Sequence, residues 1–161
     1  MTWRGSTTVP DRIFAALPYL LPLIDALPFG EFLFSQFPIL QLLFIPLFPV
    51  LQIYTLPLVG PFVGLIVFFA LFFLVVRNER INHFIRFNAM QAILIDIVLI
   101  LCRLVLSIFP QGGPGSLLIE TLYNVVFLGV LAAFIYSVAQ SLLGRYAEIP
   151  TISDAVYMQV R

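Results

Sequence analysis

Asp96 stands about ten residues into an apolar run that extends from Phe87 to Phe109. At 1.5 Å per helical residue that is a depth of ~15 Å, close to the centre of a bilayer. A carboxyl group there costs about 2.5–3.5 kcal/mol on insertion scales, so it must face protein or water. At 100° per residue, Asn88, Ala92, Asp96, Arg103 and Ser107 fall within roughly a third of the helix circumference. One polar stripe, carried by Asn88, Asp96 and Arg103, therefore runs down an otherwise Ile/Leu/Val helix. Such a stripe either walls a hydrated pathway or forms a network inside a bundle that fixes helix packing. Arg103 lies nearer the outer end of its helix, and Asp25 has the same position in the first apolar run. Each is expensive alone in lipid, and an ion pair between Asp25 and Arg103 would reduce the cost of both.

This chemistry is binding and conduction rather than bond-making. The chain has one histidine, one cysteine and no lysine, so the usual nucleophile and base pairs cannot be assembled. No G-x-S-x-G, H-E-x-x-H, C-x-x-C or glycine-rich phosphate loop is present. His83 lacks the Cys, His or carboxylate company a metal needs and is expected in a solvated loop. No catalytic residue, metal or cofactor is expected. A formal net charge of zero gives no basic face for nucleic acid.

The elements that must position these residues are set by hydropathy and by arginine. The chain is 61% hydrophobic and 10% charged, well below the roughly 25% charged residues of a soluble domain. All eight basic residues are arginine. Arg4 and Arg12 precede the first apolar run, Arg77, Arg80 and Arg86 fill the central charged segment, and Arg145 and Arg161 follow the last run. The connections from Gly30 to Pro57 and from Pro110 to Ser116 carry no basic residue. Basic residues are retained on the cytoplasmic side during insertion, so both ends are expected there, with Arg12, Arg77, Arg80, Arg86 and Arg145 as topology anchors. The N-terminal residues make a poor signal peptide and are too few for a transit peptide.

An all-α membrane protein of one domain, residues 1–161, follows, with four transmembrane helices over about 13–29, 58–76, 87–109 and 116–143. Pro18, Pro22 and Pro28 bend the first. Residues 31–56 are apolar but broken by Pro38, Pro46 and Pro49 and punctuated by Ser35, Gln36, Gln41, Gln52 and Thr55. A crossing here would put Arg12 and the Arg77–Arg86 cluster on opposite sides, so this segment is expected to be interfacial or re-entrant on the non-cytoplasmic face. Gln111 to Gly115 is a short turn that lays the last two helices antiparallel. In the polar tail, 145–161, Ser153 is placed to cap a short helix from Asp154 to Val160.

Small residues mark close helix approach: Gly129, Ala133, Ser137 and Ser141 recur every four residues, and Gly60 and Gly64 repeat the device. Ser137 and Tyr136 are expected at the depth of Asp96 as its partners. Trp3, Tyr19, Tyr123 and Tyr146 suit interfacial anchoring, and Arg77, Arg80 and Arg86 suit anionic headgroups.

The run Arg86-Phe87-Asn88-Ala89-Met90-Gln91-Ala92-Ile93-Leu94-Ile95-Asp96-Ile97 resembles the signature of the Tic-twenty family. That family is the twenty-kilodalton membrane subunit of the translocon at the chloroplast inner envelope, with cyanobacterial relatives. Ala16 to Asp25 resembles the family's first helix and Glu148 to Val156 its tail, so the resemblance covers nearly the whole chain. It implies four transmembrane helices with both ends stromal, and a channel-forming or channel-associated part in a protein translocation complex. The partners it implies are other membrane subunits, lipid and an unfolded polypeptide. Plant members carry a transit peptide, so this chain resembles a cyanobacterial or plastid-encoded version, housed in a plasma, thylakoid or inner envelope membrane. Two other functions fit the residues: a structural subunit that holds larger partners together, its outer surface supplied by 17 phenylalanines, and a small ion or solute channel using Asp96.

Overall fold

The computed structural model describes residues 7–109 and 116–160. The turn expected at Gln111–Gly115 lies outside these residues, as do Trp3, Arg4 and Arg161. The first helix, α1, runs over Val9–Gln36 and is longer at both ends than the expected 13–29. Thr8 and Asp11 form a reciprocal capping box at its start, with proline in its first turn. Pro18 and Pro28 do not end it. Each sits in the first turn of a short 3-10 segment, Leu17–Tyr19 or Leu27–Gly30, where its missing N–H is tolerated before α-helix resumes. Glu31–Gln36 is therefore the last part of α1 and not the start of a separate segment.

The proline-rich stretch begins instead at Pro38 as α2, Pro38–Tyr54. It is 3-10 over Pro38–Leu47 and α-helical over Phe48–Tyr54, and it has no buried residue. α3, Gly60–Val76, is α-helical to Ala70 and then π-helical, with the Arg77 N–H reaching back five residues to the Phe72 carbonyl. α4 spans His83–Ser107, beginning four residues before the expected 87 because the Asn82 side chain caps it by accepting the Phe84 N–H. α5 spans Ser116–Leu142 and α6 spans Ile152–Gln159. Of these, α1, α4 and α5 are long and apolar enough to cross a membrane, while α2 and α3 are shorter apolar helices.

α4 is the centre of the bundle, touching α1, α3, α5 and α6. One core cluster sets Phe87, Met90 and Ile93 of α4 against Val76, Val156 and Val160, so α6 is part of the core rather than a polar appendage. A second gathers Ala26, Phe29, Leu99, Leu106 and Phe127 near the other end. Phe127 and Phe34 also crowd Gly30, where a Cβ would come within 2.8 Å of the Phe34 ring. After α5 the chain turns through Gly144 at φ 72°, a left-handed conformation that a residue with a Cβ adopts only at a cost. The start of α1, the start of α4, the end of α5 and the tail thus meet at one end of the bundle.

Candidate polar cleft and a closed polar network

The expected stripe divides into two sites. Its inner part is a closed network. Asn88 is fully buried, and its Oδ1 accepts from the Tyr19 hydroxyl at 2.8 Å and from Ser141 Oγ at 3.0 Å, while its Nδ2 donates to the Phe84 carbonyl. One turn on, Gln91 Nε2 donates to Tyr19 Oη at 3.0 Å and to the Ala147 carbonyl at 2.7 Å. Gln91 Oε1 accepts from Ser153 Oγ at 2.8 Å, and that same hydroxyl accepts the Ile149 N–H. Ser153 therefore ties the tail to α4 and is not a helix cap; α6 starts at Ile152 behind Thr151, whose side chain makes no capping bond. Five side chains from α1, α4, α5 and α6 are joined without solvent, which rigidifies this end.

Other residues placed at the interface by their type are also drawn inward. Tyr19 is fully buried, and Tyr146 packs edge-on against Phe84 and Phe87. His83, expected in solvent, lies 3.0 Å from the Tyr146 hydroxyl and 3.3 Å from the Val160 carbonyl. Arg86 is buried with its Nε donating to the Val76 carbonyl at 2.9 Å, closing the end of α3. Arg77, Arg80 and Arg145 are exposed at this same end, and Arg12 is half-buried there, donating to Thr7 Oγ1. Tyr123 lies at the other end, tilted against the Phe29 ring and edge-on to Phe32.

The outer part of the stripe opens into a cleft of about 510 Å³ between α1, α2, α3 and α4, lined by Asp25, Tyr54, Gly64, Asp96 and Arg103 with apolar walls from Leu51, Leu65, Phe68 and Ile100. The Asp25 and Asp96 carboxyl groups are near neighbours. Asp96 is only 1% exposed, and its Oδ1 has no hydrogen-bond donor in the protein. The Arg103 guanidinium donates to the main-chain carbonyl of Asp25 at 2.8 Å, rather than to its carboxylate, and lies 5.7 Å over the Phe29 ring. The local sequence explains the available carbonyl: in the 3-10 turn that follows, the natural donor to Asp25 O is residue 28, a proline without an N–H. Ser137 and Tyr136 do not meet Asp96. Ser137 is buried on the far side near Tyr19, and the Tyr136 hydroxyl donates to the Glu148 carbonyl at 3.3 Å.

Glycine admits the groups that build the cleft. A Cβ on Gly60 would overlap the Tyr54 carbonyl oxygen, and one on Gly64 would lie 3.2 Å from Asp25 Oδ2. Gly60→Val is expected to push the α2–α3 connection off α3 and lower stability by about 1–3 kcal/mol, read as the unfolding midpoint of the purified protein. An unchanged midpoint would show that this approach is not required. Gly129, by contrast, is exposed with open space around it, so within this chain the small-residue stripe packs from Ala133, against the Tyr19–Ala92–Ile95 cluster, through Ser137 and Ser141.

Sequence reasoning missed Gln91 and Ser153 in the network and Tyr54 in the cleft. A signal for Gln91 was present, since it lies three residues from Asn88 on the same helix face.

The sequence profile described as "Chloroplast import apparatus Tic20-like" matches residues 7–156, which includes both polar sites and the tail. The chain belongs to the Tic20-like family. It is 57% identical over 153 residues to a Tic20 family protein of Synechocystis, covering 94% of this chain and 93% of that one. It is 36% identical to the Arabidopsis thaliana protein TIC 20-II, chloroplastic, over 99% of this chain and 78% of that one. It is 32% identical to the Tic20 family protein Ycf60 of Porphyra purpurea, over 99% of this chain and 80% of that one. The Tic20-like chain is thus homologous to the chloroplast protein import translocon subunit, within a family of multi-pass membrane proteins that are not enzymes.

Proposed function

We propose that this Tic20-like chain is a membrane subunit of a protein translocation complex, channel-forming or channel-associated, that offers the Asp25–Asp96–Arg103 cleft to an unfolded polypeptide. The observation that carries this reading is the family match across residues 7–156. The site fits it: a polar cleft flanked by apolar walls suits a chain of mixed side chains, and no bond-making residue set accompanies it. α3 is taken as a fourth crossing, since its 17 positions, Gly60 to Val76, lie at the short limit of about 17–25 residues for a span. With four crossings both chain ends face the cytoplasm or stroma, which suits the gathering of the α1 start, the α5 end and the tail with the exposed Arg77, Arg80 and Arg145. α2, with no buried residue, then lies on the opposite face. The home membrane is the plasma or thylakoid membrane of a cyanobacterium, or a plastid inner envelope; similarity to Synechocystis and red-algal proteins supports either.

A second reading, a structural subunit that never meets substrate, is favoured by α5. Its outward face is broadly exposed, and Gly129 there has open space for a partner helix. Photoreactive side chains at Ile100 and Leu51 in the cleft, and at Leu128 and Ala132 on α5, separate the two in native membranes. A labelled polypeptide in transit is expected to be trapped from Ile100 and Leu51 and not from α5. Capture of resident subunits alone, from every position, would overturn the translocation reading in favour of the scaffold.

A further inference from the structure

We propose that the cleft between α1, α2, α3 and α4 is a binding site for a primary ammonium or guanidinium group carried on an aliphatic chain. This deepens the translocation reading and, as regards a polypeptide ligand, rests on it, because lysine and arginine side chains are alkyl cations; a free amine has the same chemistry.

Three observations define the ligand. First, the cleft has acceptors to spare. Two carboxyl groups, Asp25 and Asp96, face one guanidinium, and Arg103 directs one Nη donor to the Asp25 main-chain carbonyl rather than to either carboxyl group, with its planar face over the Phe29 ring. Asp96 lines the cavity, and its Oδ1, just beneath the wall, is buried without a donor. A buried carboxyl oxygen in that state is matched by an N–H donor, best by a charged one. Second, apart from Tyr54 the remaining side chains of the wall are apolar: Leu51, Leu65, Phe68 and Ile100 offer no oxygen ligands. A hard inorganic cation takes about six oxygens, which this wall does not supply, whereas an alkyl chain buries itself there. Third, Gly64 leaves the Asp25 carboxylate uncovered, since even a Cβ at that position would touch Oδ2. At about 510 Å³ the cleft accommodates a four-carbon chain with its charged head.

The test uses the purified full-length chain in lipid nanodiscs, titrated calorimetrically with n-butylammonium and n-butylguanidinium, with n-butanol and sodium as controls at matched ionic strength. Both alkyl cations are expected to bind saturably, and n-butanol and sodium are not. Asp96→Asn and Asp25→Asn should each weaken binding by roughly tenfold or more, the worth of one charged hydrogen bond. Equal binding of n-butanol or sodium, or full affinity in both Asn variants, would overturn the proposal without recourse to any variant that fails to fold, because the butanol and sodium comparisons need only the wild-type chain. Cross-linking from Ile100 then separates the sources. Trapping a translocating polypeptide with free lysines but not its lysine-acetylated form supports a side-chain ligand. Alkyl-cation binding with no polypeptide trapped supports a free amine and overturns the translocation reading alone. Equal trapping of both polypeptide forms, with no amine binding, leaves translocation standing and overturns the site.

Discussion

Replacing Gln91 with Met is expected to release the C-terminal helix from the bundle. Met fills nearly the same volume, so the loss is confined to hydrogen bonds. Gln91 holds the Tyr19 hydroxyl, the Ala147 carbonyl and the Ser153 hydroxyl, all in a region closed to solvent. Stranding a buried polar group costs about 1–3 kcal/mol. Some of the three can turn to other partners, Ser153 retaining the Ile149 N–H, so the total is about 3–6 kcal/mol. That is a large part of the ~5–15 kcal/mol that holds a typical domain together, and the tail is otherwise held by apolar and aromatic contacts of Tyr146, Val156, Tyr157 and Val160. The readout is trypsin cleavage after Arg145 and amide exchange over residues 147–160, both of which should rise strongly. A tail as protected as in the wild type would show that its apolar and aromatic contacts hold it without the Gln91 hydrogen bonds. Ser153→Ala should give the same change at smaller size, about 1–2 kcal/mol, since it removes one of the bonds.

The second large effect has the opposite sign. Asp96→Asn should make the protein more stable while impairing whatever the cleft does. Asp96 is buried beside a second carboxyl group, with one oxygen lacking a donor, an arrangement that packing alone would not choose. Asparagine keeps the shape and brings an N–H₂ group that can donate to Asp25. The gain is estimated at about 1–3 kcal/mol, or roughly 3–10 °C in Tm for a chain of this length. Unfolding in detergent or nanodiscs, followed by intrinsic fluorescence, measures it. A lower Tm would mean that Asp96 is a structural member of the bundle, and the cleft would lose its standing as a functional site. A higher Tm together with lost alkyl-cation binding would be the trade of stability for function that a binding site shows.

Much of the architecture is legible in the sequence. Apolar runs between arginine-bearing segments marked out the helices in the right order, because burial in lipid demands long uninterrupted apolar stretches and the charged residues have nowhere else to go. The boundaries were less legible. The first span is expected to end at residue 29, yet α1 continues to Gln36, because 3-10 turns absorb Pro18 and Pro28 without leaving helical backbone angles. Arg86 looked like the residue before a helix and is instead buried inside one, since the Asn82 cap, a local feature, sets the start of α4.

What the sequence determined by itself is the membrane class, the order of its helices and the presence of Asn88, Asp96 and Arg103 on one helix face. Those follow from hydropathy and the 3.6-residue period, which act along the chain. Only the tertiary structure decided that Asn88 belongs to a closed network and Asp96 to an open cleft. The partners that make the difference are 53 to 72 residues away in the network, and they lie on other helices in the cleft. Hydrogen bonds of that reach depend on how α1 and the tail pack against α4, and no local periodicity carries that information.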